Sequence, residues 1–211
     1  MRKYHPFITI AAGILITVVG FAIPANIGQV QLNGIHKIVL PTMQPTGNVT
    51  HNLKYAYAIG LEVGNPETIQ AIMLQESGAS KMAAVGNKAA PVGKRSYGLM
   101  QVQVVAARSI FERQTKVRLK YFPGRKYKSI MDEEIIALLL TNDEANIRIA
   151  AYHFNLYLKL SDGNWDRAVA AYNMGIGGVQ RVSNYAELTY VIEIRGRLGA
   201  VRAFNERNNL G

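Results

Sequence analysis

Residues 65–78 read NPETIQAIMLQESG and predict a helix with a clear start. Asn65 is a preferred N-cap residue, Pro66 suits the first helical position, and Glu67 places an acid in the first turn. An apolar stripe follows at helical spacing: Ile69, Ile72 and Met73. The helix is expected to run to about Glu76, so this glutamate ends an otherwise apolar segment.

Helical patterns also dominate the chain outward from this segment. Further helices are predicted near residues 54–63, 99–115, 132–140, 165–172 and 186–208, and another follows the capping sequence Asn142-Asp143-Glu144. A long polar loop is expected over residues 78–96, a basic loop around Pro123-Gly124, and a flexible turn over residues 175–178. Strands are scarce and no repeat is visible. The pattern predicts a compact all-α domain over residues 51–211.

The first residues carry an export pattern. Arg2, Lys3 and His5 precede an uncharged apolar run over residues 7–23, and Pro24 closes it. A basic start followed by an apolar stretch is typical of a signal peptide or a membrane anchor, so residues 1–25 are interpreted as one of the two. Residues 26–50 are then an extended linker with one short strand near residues 35–40. Location in the periplasm or cell envelope is expected, with membrane contact only through the first segment.

Charge and residue types limit the classes of function. Lys and Arg number 24 against 14 Asp and Glu, a net charge of +10 that favours anionic partners. Nucleic acid is one such partner, but an exported chain does not meet it in the cytoplasm. The four histidines form no ligand pair at helical spacing and cysteine is absent, so neither a metal nor another cofactor is expected.

Four short elements occur in order along the chain. They are Gln75-Glu76-Ser77, Ser96-Tyr97-Gly98-Leu99-Met100-Gln101, Ala171-Tyr172-Asn173-Met174-Gly175 and Tyr190-Val191. This set resembles the lysozyme-like lytic transglycosylases of the soluble-lytic-transglycosylase domain family, over roughly residues 52–197. Their pattern is Glu-Ser, then Gly-Leu-Met-Gln, then Ala-Tyr-Asn-x-Gly, then Tyr-Val. Tyr97 departs from the pattern, because many members have a small residue there.

The resemblance implies which residues bind and cut peptidoglycan glycan strands. Glu76 is the implied catalytic residue, and a carboxyl at the end of an apolar helix should have a raised pKa, as a general acid needs. The candidate substrate-binding residues are Ser96, Gly98, Met100, Gln101, Tyr172, Asn173 and Tyr190. Gly98 is expected to bring the backbone close to a ligand and Gln101 to lie near an N-acetyl group. Met100 and Tyr172 also suit a hydrophobic core.

A single acid fits a mechanism without a second carboxylate. Acids at 132–134 and 143–144 stand at helix starts, where the helix dipole favours them. The resemblance implies that Glu76 first acts as an acid and then as a base, and that the product carries a 1,6-anhydro ring. A goose-type lysozyme, which hydrolyses the same bond, and an inactive wall-binding assembly protein are the alternatives. Small enzymes of this type also serve secretion, conjugation or pilus systems.

Overall fold

The computed structural model describes residues 29–30, 38–39, 48–80 and 85–210. The expected export segment, residues 1–25, lies outside the described residues, and so does most of the expected linker. Within the linker, strand β1 (Gln29–Val30) pairs antiparallel with β2 (Ile38–Val39), so that Gln29 faces Val39. The second strand falls in the range where a short strand was expected.

Nine α-helices dominate the described residues and confirm the all-α class. They are α1 (Val49–Glu62), α2 (Pro66–Ser77), α3 (Val104–Arg113), α4 (Thr115–Tyr121), α5 (Asp132–Thr141), α6 (Asp143–Leu160), α7 (Trp165–Met174), α8 (Ile176–Val179) and α9 (Thr189–Arg207). Short 3-10 turns lie at Val92–Lys94, Tyr127–Ser129 and Tyr185–Glu187. None of the helices in the described part of the chain has the length and apolar character needed to cross a membrane.

Helix α2 lies in the middle of the fold and packs against α1, α6 and α9. Pro66 begins it as predicted, although the Asn65 side chain donates to the carbonyl of Val63 instead of capping the helix. Gly78 ends it in the left-handed conformation at φ +65°, which glycine adopts without a steric penalty. The predicted apolar stripe is fully buried: Ile69, Ile72 and Met73. Burial of this stripe fixes the end of α2, and therefore Glu76, against the core.

Helix α6 is the second central element and packs against α1, α3, α5 and α7. Its start was predicted correctly, because the Asn142 side chain accepts a hydrogen bond from the Ala145 N–H. Four residues at helical spacing bury one face completely: Ile147, Ala150, Ala151 and Phe154. The neighbouring face of the same helix lines an open cleft.

The expectation of a helix from about Leu99 is wrong at its start. Strands β3 (Val85–Gly86), β4 (Ser96–Tyr97) and β5 (Val102–Gln103) form a small antiparallel sheet in that order, and α3 begins only at Val104. Gly98 and Gln101 have φ values of +77° and +48°, which a right-handed helix cannot accommodate. Residues 98–101 are therefore a tight turn between β4 and β5.

A second difference concerns the basic segment after α3. A loop was expected there, but α4 covers its first half, because Val117 and Tyr121 turn inward and are buried. Lys116 and Lys120 point outward on the same short helix. Likewise, the glycine-rich turn after α7 contains the single helical turn α8. Short helices of one or two turns are held by tertiary packing, which a sequence pattern does not reveal.

Candidate active site

Glu76 lies in the last turn of α2, directly after its buried stripe. Burial raises the pKa of this carboxyl above its ordinary value, and a hydrogen bond from the Tyr190 hydroxyl lowers it by less. That bond joins the Tyr190 oxygen to Glu76 Oε1 over 2.5 Å and crosses from α9 to α2. The carboxyl is thus both oriented and more easily protonated than an exposed glutamate.

Helix α9 holds the end of α2 at more than one point. Gln75 donates through Nε2 to Glu193 Oε2 at 2.6 Å, and Arg197 Nε donates to Gln75 Oε1 at 2.7 Å. Tyr190, Glu193 and Arg197 are three and four residues apart, so they share one face of α9. Of these three residues only Tyr190 was predicted from the sequence, although the helical spacing of residues 193 and 197 after it could have indicated the other two.

An open cleft of about 510 Å³ lies beside Glu76. One wall is the α3 face with Val105, Ala106, Ser109 and Arg113, and the other is the α6 face with His153, Leu156, Tyr157 and Leu160. Ser96, residues 101–103 and residues 172–176 complete the lining. The candidate residues that line the cleft are Glu76, Ser96, Gln101, Tyr172 and Asn173.

Three of the candidate residues are not part of the cleft lining: Tyr190, which bonds Glu76, and Gly98 and Met100, which lie behind the cleft. A Cβ atom on Gly98 would be 2.3 Å from Asn146 Nδ2 and 2.5 Å from the carbonyl oxygen of Leu139. Glycine is therefore needed here for packing against the protein itself, which corrects the expected approach to a ligand. Met100 is fully buried and belongs to the core. Neither side chain position lines the cleft.

The backbone of Met100 nevertheless links the turn to two helices, α6 and α7. Its N–H donates to Asn146 Oδ1 at 2.8 Å, and its carbonyl oxygen accepts from the Tyr172 hydroxyl at 2.7 Å. Gln101 lines the cleft, and its Nε2 donates to the Gly98 carbonyl at 2.8 Å. The turn is thus held rigidly while its last side chain faces the cleft.

Tyr172 and Asn173 come from the C-terminal turn of α7. Burial raises the Tyr172 pKa well above its ordinary value, and the charge of Glu76 raises it further. Because its hydroxyl is occupied by the Met100 carbonyl, Tyr172 offers its ring to the cleft. The Asn173 side chain is exposed at the cleft surface, where its amide can donate and accept hydrogen bonds.

His153 and Tyr157 were not identified from the sequence. Both lie on the cleft face of α6, and their ring centroids are 4.3 Å apart. Burial lowers the His153 pKa to about 4, so its imidazole is neutral at physiological pH. The sequence signal was the spacing of residues 153, 156, 157 and 160, which marks a second apolar face of α6 beside the core face.

No second carboxyl reaches the cleft within the described residues, where Glu76 is the only acid in the lining. Three of the five acids in the first turns of α5 and α6 pair with basic residues outside the cleft lining. Asp132 pairs with Arg108 at 2.5 Å, Glu134 pairs with Arg125 at 3.1 Å, and Glu144 pairs with Lys120 at 2.6 Å. Their positions at helix starts agree with the expectation from the sequence.

A helical domain with one partly buried, oriented carboxyl in an open polar cleft is the arrangement of a lysozyme-like, glycan-cleaving protein. The transglycosylase SLT domain model matches residues 56–189, more than half of the chain, and the chain belongs to this family. Membership indicates lytic transglycosylase activity in general, with peptidoglycan as the substrate. The matched range contains Glu76, the turn at 98–101 and Tyr172, and Tyr190 follows it directly. No curated protein and no solved structure matches the chain.

Proposed function

We propose that Glu76 cleaves the β-1,4 bond between N-acetylmuramic acid and N-acetylglucosamine as the sole acid and base. The observation that carries this proposal is its position as the only carboxyl in the cleft lining of the described residues. Glu76 protonates the glycosidic oxygen, and the bond between this oxygen and the muramoyl C1 breaks. Its raised pKa supports the acid role, because the proton must still be present near neutral pH.

The second half of the reaction returns the proton. The muramoyl 6-hydroxyl attacks C1 of its own ring and gives its proton to the Glu76 carboxylate, so the acid is regenerated and no water is consumed. The product is a 1,6-anhydro sugar. An intramolecular hydroxyl has an effective molarity that can reach on the order of 10⁵ M. Tyr190 supports the carboxylate stage, because its hydroxyl donates to Glu76.

The polar cleft residues are suited to hold the sugars around this acid. Gln101, Asn173 and Ser96 present amide and hydroxyl groups, and Tyr172 presents its ring. Sugar hydroxyl and N-acetyl groups need such donors and acceptors, while their C–H faces pack on aromatic rings. We assign the strand-binding role to these four residues, with Tyr190 orienting Glu76.

The test is product analysis with wild-type protein and Glu76→Gln. The wild-type protein should release muropeptides that are lighter than hydrolysis products by one water and lack a reducing end. Glu76→Gln keeps the shape and removes the proton, so the rate should fall by a factor on the order of 10² or more. Glu133→Gln, an exposed acid in the first turn of α5, is the matched control. Products with reducing ends would assign the hydrolytic, goose-type activity instead.

The location and division of the chain are also proposals. The basic start and the apolar run over residues 7–23 support export to the periplasm or cell envelope, where peptidoglycan lies. Residues 51–211 are proposed to form the catalytic unit. The resemblance to the family supports a role in opening the wall for a secretion, conjugation or pilus system. Fractionation of cells that produce the full chain checks the location, and recovery in the cytoplasmic fraction would contradict it.

A further inference from the structure

The cleft extends well beyond the acid, between α3 and α6. Glu76, Met100 and Tyr172 are neighbours, because Tyr172 bonds the Met100 carbonyl and its pKa responds to the Glu76 charge. The chain passes from this point directly into α3. The acid therefore lies at the end of the cleft where α3 begins, and the C-terminal end of α3 is remote from it.

Both walls run in the same direction away from the acid. On α3, the cleft residues from Val105 to Arg113 span about 12 Å at 1.5 Å per residue. On α6, the His153 ring lies 6.1 Å from the Tyr172 ring, at the acid end, and Leu160 is a further two turns along the helix. We name the remote part, formed by Ser109, Arg113, Leu156 and Leu160, the distal arm.

The distal arm combines an exposed cation with apolar walls. Arg113 is exposed, and it forms no ion pair or hydrogen bond within the described part of the chain. Arg108 and Arg148, in contrast, each engage a carboxylate. Leu160 is 50% exposed, although its side chain is large and apolar. Such a surface fits a ligand with a carboxylate beside small apolar groups.

We propose that the distal arm binds the stem peptide of the peptidoglycan strand, with Arg113 pairing with a peptide carboxylate. This inference rests on the proposed function, because it concerns the same strand in the same cleft. The two sugars near Glu76 carry hydroxyl and N-acetyl groups, whereas the free carboxylates of the substrate belong to its peptides. A guanidinium binds a carboxylate through two parallel hydrogen bonds, and alanine methyl groups in the peptide suit the leucine wall.

A basic residue in the last turn of a helix also has a purely structural explanation, because it complements the helix dipole. Arg207 provides the matched control for that effect. It too is exposed, it lies in the last turn of α9, and it lies away from the cleft. A role in helix stability alone would make Arg113→Gln and Arg207→Gln behave alike.

The experiment compares two substrates for the full chain and its variants. One is a glycan strand with intact stem peptides. The other is the same strand after an amidase has removed the peptides and the lactyl carboxylates that this exposes have been converted to amides. For Arg113→Gln we expect KM on peptide-bearing strands to rise about tenfold, equivalent to about 1.4 kcal/mol. Neither kcat nor cleavage of the peptide-free strand should change. Arg207→Gln should match the wild-type protein on both substrates.

Two further measurements test whether Arg113 pairs with a carboxylate of the peptide. Arg113→Lys should recover part of the loss, because it keeps the charge but not the paired geometry. Amidation of the peptide carboxyls should raise the wild-type KM to that of Arg113→Gln. An equal loss for Arg113→Gln on both substrates, or an unchanged KM on peptide-bearing strands, would overturn the proposal. Wild-type protein that cleaves neither strand would instead contradict the proposed function itself.

Discussion

Replacement of Asn146 by alanine tests whether one buried amide holds the cleft turn. Asn146 is fully buried on α6, and its side chain makes three hydrogen bonds. Its Oδ1 accepts from the Met100 N–H at 2.8 Å, and its Nδ2 donates to the carbonyls of Tyr97 at 2.8 Å and Leu139 at 3.2 Å. Alanine removes all three bonds without supplying a replacement.

The expected loss follows from the groups that are left behind. A buried N–H without a partner costs about 1–3 kcal/mol, and the two carbonyls add a smaller penalty. We therefore expect Asn146→Ala to lower the free energy of unfolding by about 2–4 kcal/mol. A typical domain has only about 5–15 kcal/mol in total. The variant should still fold, but its turn at residues 98–101 should loosen and glycan cleavage should weaken, since Gln101 lies on that turn.

Urea denaturation followed by far-UV circular dichroism measures this loss. Asn155→Ala is the matched control, because it makes the same change in the same helix. The Asn155 side chain is partly exposed and forms no hydrogen bond within the described residues. The control should shift the free energy of unfolding by no more than about 0.5 kcal/mol. Equal losses for the two variants would refute the reasoning about the amide.

Two further predictions concern the acid and the turn. Tyr190→Phe removes a hydrogen bond that lowers the Glu76 pKa, so that pKa should rise and the high-pH limb of kcat/KM should move to higher pH. Tyr57→Phe on α1 should leave the profile in place, and an unmoved limb in Tyr190→Phe would contradict the assignment. Gly98→Ala should lower the free energy of unfolding by at least about 2 kcal/mol, because the new Cβ would lie 2.3 Å from a buried amide nitrogen at φ +77°. Gly163→Ala has φ +78° in open space, so thermal denaturation of both variants separates the clash from the backbone strain, and equal melting temperatures would exclude the clash.

Local signals predicted the helices whose ends are set by their own residues. The start of α2 follows from Pro66 in the first turn, and the start of α6 follows from the Asn142 cap, and both signals act within one turn. The start of α3 was misplaced, because Leu99 and Met100 are apolar, like the first residues of a buried helix, yet belong to a turn. The turn is bonded to Asn146, which accepts from the Met100 N–H and lies more than forty residues later in the chain.

The residues of the candidate site also divide into those that a local signal indicates and those that depend on distant parts of the chain. Glu76 was predicted as the acid because it ends an apolar helix and stands in an ordered set of motifs, and the structure places it in the cleft lining. Gly98 was expected to bring the backbone close to a ligand. The sequence shows that a glycine stands there but not which neighbouring group fills the space of the missing side chain. His153 was not predicted, because the sequence pattern indicated only the core face of α6 and His153 lies on the face beside it. That this second face lines a cleft follows from the packing of α3.

The hydrogen bonds that join α9 to the end of α2 have a consequence for the order in which the site forms. Glu76 and the Tyr190 that orients it are 114 positions apart, and the polypeptide is made from its N-terminus. A growing chain can complete α1, α2 and α6 while its acid still has no oriented hydrogen bond. We therefore expect Glu76 to gain its orienting hydrogen bond only when α9 packs against α2.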